Sequence, residues 1–597
     1  MKSYDVSALA NAAHELLRQG DAVGAERVLS PVFDQLKAEA SVMHLMGLIK
    51  KAQNKLVEAE KHLRGAISHA LSEGSYYNDL GVVLQARGEF EEAARVFRAA
   101  IALLPDAGAV RVNLTRCLVA SGQLKEADHE ARTYISVAPG AESWTLLHQV
   151  QRAQERHRDA LVSAETALRY APKLRSLRIN YAASLDRLGR GKEALPIYSE
   201  LVRENVESPD LALAFARALY AEGEKQDAET VLEQASSAWP EAANLHGALA
   251  RMRWLRGEGE RAGALIEQAI AKRPSDLGLR LLCADVHHRG GHDARALTIL
   301  DEALRAAPDQ PALLAARGIV LDELNQLDEA VRTFERALLV QPGAASTQRN
   351  LVSTLLRAGR PQEALGLART IRQQAPDDQL LIACVASALR MLGDPAYGRF
   401  NDYARYVRSY DIPAPRGFFT ADNFNASLAE ILRVQHRVNA HPLDQSLTHG
   451  TQTGRSLLAS EEPNLLAFFK AVEAAIRDYV AALPLGLDDP VGRRKSDRQL
   501  MTSCWSVRLT QGGAQPNHVH DQGWLSSAYY VALNPAKGAK GRLKFGEPHR
   551  PMPGCSPDHF VEPKVGTLVL FPSYMWHGTE AFGGAERLSL AFDVVPA

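Results

Sequence analysis

The pattern of hydrophobic and polar positions changes texture twice along the chain. Through the first two thirds it repeats. A short phrase recurs as Gly88-Glu-Phe-Glu-Glu-Ala93, Gly122-Gln-Leu-Lys-Glu-Ala127, Gly189-Arg-Gly-Lys-Glu-Ala194, Asn325-Gln-Leu-Asp-Glu-Ala330 and Gly359-Arg-Pro-Gln-Glu-Ala364. The closing alanines form a ladder, Ala25, Ala59, Ala93, Ala127, Ala160, Ala194, Ala228, Ala262, Ala296, Ala330 and Ala364. Its step is constant except between Ala127 and Ala160, where it is shorter by one. Twelve residues past most of them stands a proline, from Pro105 to Pro376; Val206 and the first two repeats break that series. Gly or Asn at the turn suits the cap that ends a helix. Proline ends the following helix, because it cannot continue one and disfavours helix in the residue before it. Small residues twelve places before the ladder, among them Gly47, Gly81, Ala216 and Gly318, allow close approach inside each hairpin.

From residue 399 to about 490 the ladder is lost. Apolar spacing predicts helices over 423–436 (Phe424, Leu428, Ile431, Leu432) and 465–483 (Leu465, Phe468, Val472, Ile476, Tyr479). Tyr403, Tyr406 and Tyr410 suggest a docking helix, and residues 441–453, polar and rich in turn formers, a loop that serves as a lid, a site wall or a plain connection. From about Leu500 short β-like runs separated by Gly and Pro follow, at 503–509, 525–533, 542–545, 567–571 and 587–594. They predict a sandwich or barrel.

The repeat resembles the tetratricopeptide repeat (TPR) family over about residues 5 to 380, in eleven copies. That resemblance implies an all-α superhelical solenoid whose first helices line a concave groove for a protein or peptide. The register fourteen before the ladder holds Asn11, Asp79, Asn113, Asn180 and Asn350, but apolar residues elsewhere, so a peptide-gripping asparagine row is only partly present.

Charge narrows the functions. With 69 Lys+Arg against 70 Asp+Glu, the formal charge of −1 argues against a general nucleic-acid or membrane-surface binder. Five scattered cysteines without a CxxC pair fit a reducing cytoplasm. The first residues lack the apolar core of a secretory signal, and no apolar run approaches about 18 residues, so a cytoplasmic protein without a membrane span is expected.

Chemistry concentrates near the end. His518 and His520 stand two apart in Pro516-Asn-His-Val-His-Asp-Gln, and alternate residues of a strand share a face, so both imidazoles can meet one ion. His577 follows a buried-looking strand well downstream of that pair. Arg587 and Ser589 alternate onto one face of a further strand. His549 and His559 sit in a Pro/Gly-rich loop and are expected to face solvent, and Trp505 and Trp576 to be core or pocket wall.

Residues 400–597, above all His-Val-His, Leu525-Ser-Ser-Ala-Tyr-Tyr-Val, Gly541-Arg-Leu-Lys-Phe, Gly566-Thr-Leu-Val-Leu-Phe-Pro-Ser, His577 and Arg587-Leu-Ser, resemble the bacterial 2-oxoglutarate/Fe(II) oxygenases related to the prolyl hydroxylases. The resemblance implies an α+β multidomain chain: the solenoid over 1–398, a helical connector and oxygenase N-terminal part over 399–499, and a double-stranded β-helix (jelly-roll) core over 500–597. It implies Fe(II), 2-oxoglutarate and O2, iron held by His518, His520 and His577, and the co-substrate's far carboxylate held by Arg587 and Ser589, with Tyr530 at the position of a tyrosine on the oxo acid. The common ligand pattern is His-x-Asp, and His520 departs from it. Either three histidines hold the metal, or Asp521 supplies a carboxylate; shared facing of residues i and i+2 favours His520. Hydroxylation of a protein or peptide recruited by the repeats is the expected function. The alternatives are a TPR scaffold with a degenerate oxygenase domain and a three-His iron dioxygenase that uses no 2-oxoglutarate.

Overall fold

The computed structural model describes residues 6–596 apart from 37, 205–207, 256–257, 259–261, 437–446, 455, 487–488 and 537–540. The chain divides into two compact units, Met1–Asn205 and Val206–Ala597. In the first, six helical hairpins run from Val6–Arg18 with Ala22–Leu36 to Arg175–Arg187 with Gly191–Glu204. The ladder alanines Ala25, Ala59, Ala93, Ala127 and Ala194 are fully buried between the paired helices. Gly88, Gly122 and Gly189 turn the hairpins with φ between 75° and 80°, the left-handed cap expected from the phrase. At Gly81 an added Cβ would lie 2.6 Å from the Phe97 ring, which explains the small residue there.

The second unit opens with five more hairpins, from Pro209–Glu222 with Lys225–Ala238 to Ala345–Arg357 with Pro361–Arg372, and the helix Gln379–Met391. Asn325 (φ 58°) and Gly359 (φ 72°) turn its last two hairpins. No described helix is long and apolar enough to cross a membrane.

A β-sandwich completes this unit. Its strands are β1 (Arg408–Asp411), β2 (Thr448–Gln452), β3 (Gln499–Ala514), β4 (Leu525–Pro535), β5 (Leu543–Phe545), β6 (His559–Val561), β7 (Thr567–Pro572), β8 (His577–Thr579) and β9 (Gly584–Pro596). The larger sheet runs β1-β7-β4-β9-β3-β2, the smaller β6-β5-β8, and all described pairings are antiparallel. One core joins them: Phe545 of β5 packs on Phe571 of β7 with centroids 5.1 Å apart. The outer face of the larger sheet is covered by the two expected helices, Ala421–Gln435 and Pro463–Ala482. Tyr529 donates to Asn425 in the first, and Phe592 packs on Phe468 in the second.

Three local expectations change. Tyr403 and Tyr406 share a single helical turn, but Tyr410 lies in β1, where pairing with β7 at the sheet edge outweighs helical spacing. Thr448–Gln452, expected as loop, is strand β2 because β3 offers it an open edge; His441 lies outside the described residues. His549 is exposed, whereas His559 is half-buried, stacked on Tyr403 with centroids 4.7 Å apart.

The loop between β5 and β6 ties the sandwich to the repeats. Met552 and Cys555 join the core of the last hairpins, Trp576 Nε1 donates to Ser387 Oγ (3.2 Å), and Arg390 donates to the Gly546 carbonyl (3.0 Å). Close packing yields a paired test. An added Cβ at Gly318 would sit 2.5 Å from the Phe334 ring, and at Gly366 it meets nothing within 4 Å. Urea unfolding of the second unit should show Gly318→Val destabilised by about 1–3 kcal/mol. Gly366→Ala should be neutral or stabilised by up to about 1 kcal/mol.

Candidate metal centre and anion pocket

The histidines are brought together by two extended segments. His518 and His577 form an antiparallel bridge, with His518 N to His577 O at 2.8 Å and the reverse bond at 3.1 Å. Two residues on, the His520 amide donates to Ser573 O (3.0 Å), so the segment stays extended and alternation holds although no regular strand is present. Ring centroids lie 4.3 Å (His518–His577), 5.0 Å (His518–His520) and 5.0 Å (His520–His577) apart. One ligand nitrogen from each lies within 4.8 Å of the others.

Every Nδ1 is occupied. His518 Nδ1 donates to the Pro516 carbonyl (2.8 Å) and His577 Nδ1 to the Met575 carbonyl (2.8 Å). His520 Nδ1 faces Asp593 Oδ1 at 2.5 Å. Carbonyls and carboxylates only accept, so each Nδ1 carries the proton and each Nε2 keeps its lone pair. Burial, reinforced by His520, pushes the His518 pKa down to about 3. Burial, then the two neighbouring imidazoles, pushes His577 well below the usual range. The Nε2 atoms of His518 and His520 stand only 3.0 Å apart. Two bare lone pairs at that distance repel, so the gap takes a proton or a metal ion. Two ligands at right angles on a metal, each at about 2.1 Å, would be about 3.0 Å apart. The donor set therefore fits a divalent transition metal of the kind imidazole prefers.

Asp593, on β9, went unremarked in the sequence. It is 8% exposed, receives the Ser526 hydroxyl at 2.8 Å, and lies 3.3 Å from Ser503 Oγ. Its signal was present: an acid alternating with Leu590, Phe592 and Val594, in register with Arg587 and Ser589. Asp521, the alternative third ligand, stands apart from the cluster, nearly half exposed, with its carboxylate 4.0 Å from Arg349.

Arg587, Ser589 and Asp593 share one face of β9, and Tyr530 of β4 is paired with Ser589. Arg587 is 2% exposed, and its guanidinium lies 5.1 Å from the centre of the Tyr530 ring. Among the described residues Arg587 has no carboxylate partner; its Nε is buried without a hydrogen bond, and the buried Tyr530 hydroxyl has no partner nearer than that guanidinium. An uncompensated buried cation is costly, so the residues present here fit an anion. Trp505, half-buried, presents another unpartnered donor, its Nε1, with its ring 5.3 Å from His520.

The class of protein now follows. Residues 503–593 match the family model described as "Putative 2OG-Fe(II) oxygenase", and tetratricopeptide repeat models match 6–31, 44–108, 84–150, 187–252, 254–318 and 315–379. The repeat models thus match the N-terminal part of the chain and the oxygenase model its C-terminal domain. No curated protein matches it. Among solved structures, that of Naa15/Naa10 bound to HypK-THB is 14% identical, with 80% of each chain covered and a TM-score of 0.28. A tetratricopeptide repeat protein from Parabacteroides merdae ATCC 43184 is 20% identical over 42% of this chain and 98% of its own, with a TM-score of 0.29. MamA is 18% identical over 27% and 95%, with a TM-score of 0.26.

Two measurements test the centre. Calorimetric titration of the metal-free protein with Mn(II) should show binding lost in His577→Ala and weakened about 10–100-fold in Asp593→Asn. An unfolded imidazole takes its proton near pH 6.5, whereas buried His518 and His577 stay neutral far lower. Their neutral forms contribute stability that is complete above about pH 6.5 and lost as pH falls towards about 3. The urea midpoint of the metal-free protein should therefore fall steadily between about pH 7 and pH 4.5.

Proposed function

We propose that the protein is an Fe(II)- and 2-oxoglutarate-dependent oxygenase that hydroxylates a polypeptide recruited by its repeats. The observation that carries this reading is the pairing of a converged triad of lone pairs with a buried, unneutralised guanidinium on the same sandwich. When bound, Fe(II) and 2-oxoglutarate supply the oxidising chemistry: one oxygen atom of O2 oxidises the oxo acid to succinate and CO2, and the other enters a C–H bond. The chain's own residues bind and orient. His518, His520 and His577 would hold the metal through their Nε2 atoms. Arg587 would hold the distal carboxylate, a planar guanidinium suiting it better than a lysine ammonium. Tyr530 and Ser589 offer hydroxyls beside it.

Replacing the usual carboxylate ligand by His520 removes one negative charge from the metal. Asp593 would return that charge from behind the ring, through its short contact to His520 Nδ1. The all-imidazole triad also fits a dioxygenase that needs no oxo acid, and one titration separates the two. Binding of 2-oxoglutarate to the Mn(II)-loaded protein should require the metal and weaken at least about 10-fold in Arg587→Gln, the loss of one charged bidentate pair. Affinity independent of both would overturn the assignment; metal binding with no affinity for 2-oxoglutarate would overturn it and favour the second reading. Succinate release by the Fe(II)-loaded protein, absent in His577→Ala, is the matching activity test.

A further inference from the structure

The repeats of the second unit carry a metal-binding set of their own, far along the chain from the histidine triad. Cys283 and His287 stand one turn apart on the helix Leu277–Arg289, so they share a side of it. Opposite them Glu267 projects from Ala264–Lys272, a helix of the preceding repeat. One ligand atom from each of the three lies within 4.8 Å of the others. His287 Nε2 is 3.2 Å from Glu267 Oε1. Two ligands at about 2.0 Å from one tetrahedral ion would stand about 3.3 Å apart. Cys283 is fully buried, and its thiol has no hydrogen-bond partner among the described residues. Arg295 meets Glu267 through the same Oε1, at 3.0 Å, so Oε2 keeps its lone pairs free of described partners. Gly263 makes room for the imidazole: an added Cβ there would lie 2.8 Å from His287 Nε2.

We propose that Glu267, Cys283 and His287 form a second metal site, for Zn(II), that ties two successive repeats together. The proposal stands apart from the oxygenase reading and uses none of its residues. Sulfur, imidazole and carboxylate are the donors zinc takes, and three protein ligands leave its fourth position to water. As the sulfur–metal bond forms, the thiol gives its proton to solvent. The thiolate and the carboxylate then carry a negative charge each, and Arg295 offsets one of them. The charge left over calls for a cation, because a buried thiolate without one is costly. The sulfur also sets this site apart from the triad: imidazoles alone accept several divalent metals, whereas a thiolate favours zinc among the metals that imidazole binds. Ligands from two helices of neighbouring repeats make the ion a clip, so binding stabilises the folded array.

The test titrates the metal-free full chain with Co(II), a coloured stand-in for Zn(II). A near-ultraviolet sulfur-to-cobalt charge-transfer band should appear, which the triad cannot give because it holds no sulfur, and added Zn(II) should bleach it. Cys283→Ser should abolish the band. Glu267→Gln and His287→Ala should each weaken the Co(II) binding that the band reports at least about 10-fold, the cost of losing even an outer partner of a metal ligand. Zn(II) should raise the melting temperature of the native chain more than that of Cys283→Ser. Thermal melts check that each variant folds; should Cys283→Ser fail, Glu267→Gln and His287→Ala decide. No band at saturating Co(II), a band that survives Cys283→Ser or resists Zn(II), or Co(II) affinity unchanged in Glu267→Gln or His287→Ala would overturn the proposal. Because the band reports sulfur ligation alone, metal binding at the triad neither produces nor hides the result.

Discussion

Three imidazoles can turn their Nε2 atoms inward only if something holds each ring from behind, and here the backbone and one carboxylate do so. The antiparallel bridge between His518 and His577 sets the distance between two segments that lie far apart in sequence. The carbonyls of Pro516 and Met575 fix two rings, and Asp593 fixes the third. Because all three rear partners accept protons, the network chooses the tautomer as well as the orientation. The result is a 3.0 Å approach of the His518 and His520 Nε2 atoms, a gap suited to a proton or a metal ion.

The strand β9 organises the rest. Its inner face carries an anion beside the triad, Asp593, and a cation further along, Arg587, while its outer face is apolar and packs under the covering helices. Burial gives each charge its force. Asp593 is matched by His520, Ser503 and Ser526, so it acts as a fixed support. Arg587 is left unmatched among the described residues, which suits it to an anion. One alternating strand thereby keeps the anion beside the histidines apart from the unmatched cation further along.

Within the second unit the repeats do more than precede the sandwich. The loop between β5 and β6 buries Met552 and Cys555 among the last helices, and Arg550 reaches Asp322 and Glu323. Matched ion pairs and the Trp576–Ser387 bond hold this junction, so the back of the histidine segments rests on the final hairpins.

The sequence by itself determined whatever is local and periodic. The alanine ladder, the Gly and Asn turns and the constant step between repeats specified eleven hairpins, because helix packing repeats wherever its contacts repeat. The spacing of His518 and His520 likewise fixed their common face, and alternation put Arg587 beside Ser589. Four of the nine described strands escaped, including β2 and β8, since short strands owe their form to a neighbour's open edge more than to their own residues. Only the tertiary structure supplied Asp593 as partner of His520, set Asp521 apart from the cluster and laid Asn350 against the metal loop. Each of those relations joins distant parts of the chain or turns on which way one exposed carboxylate points, and no periodicity in the sequence records it.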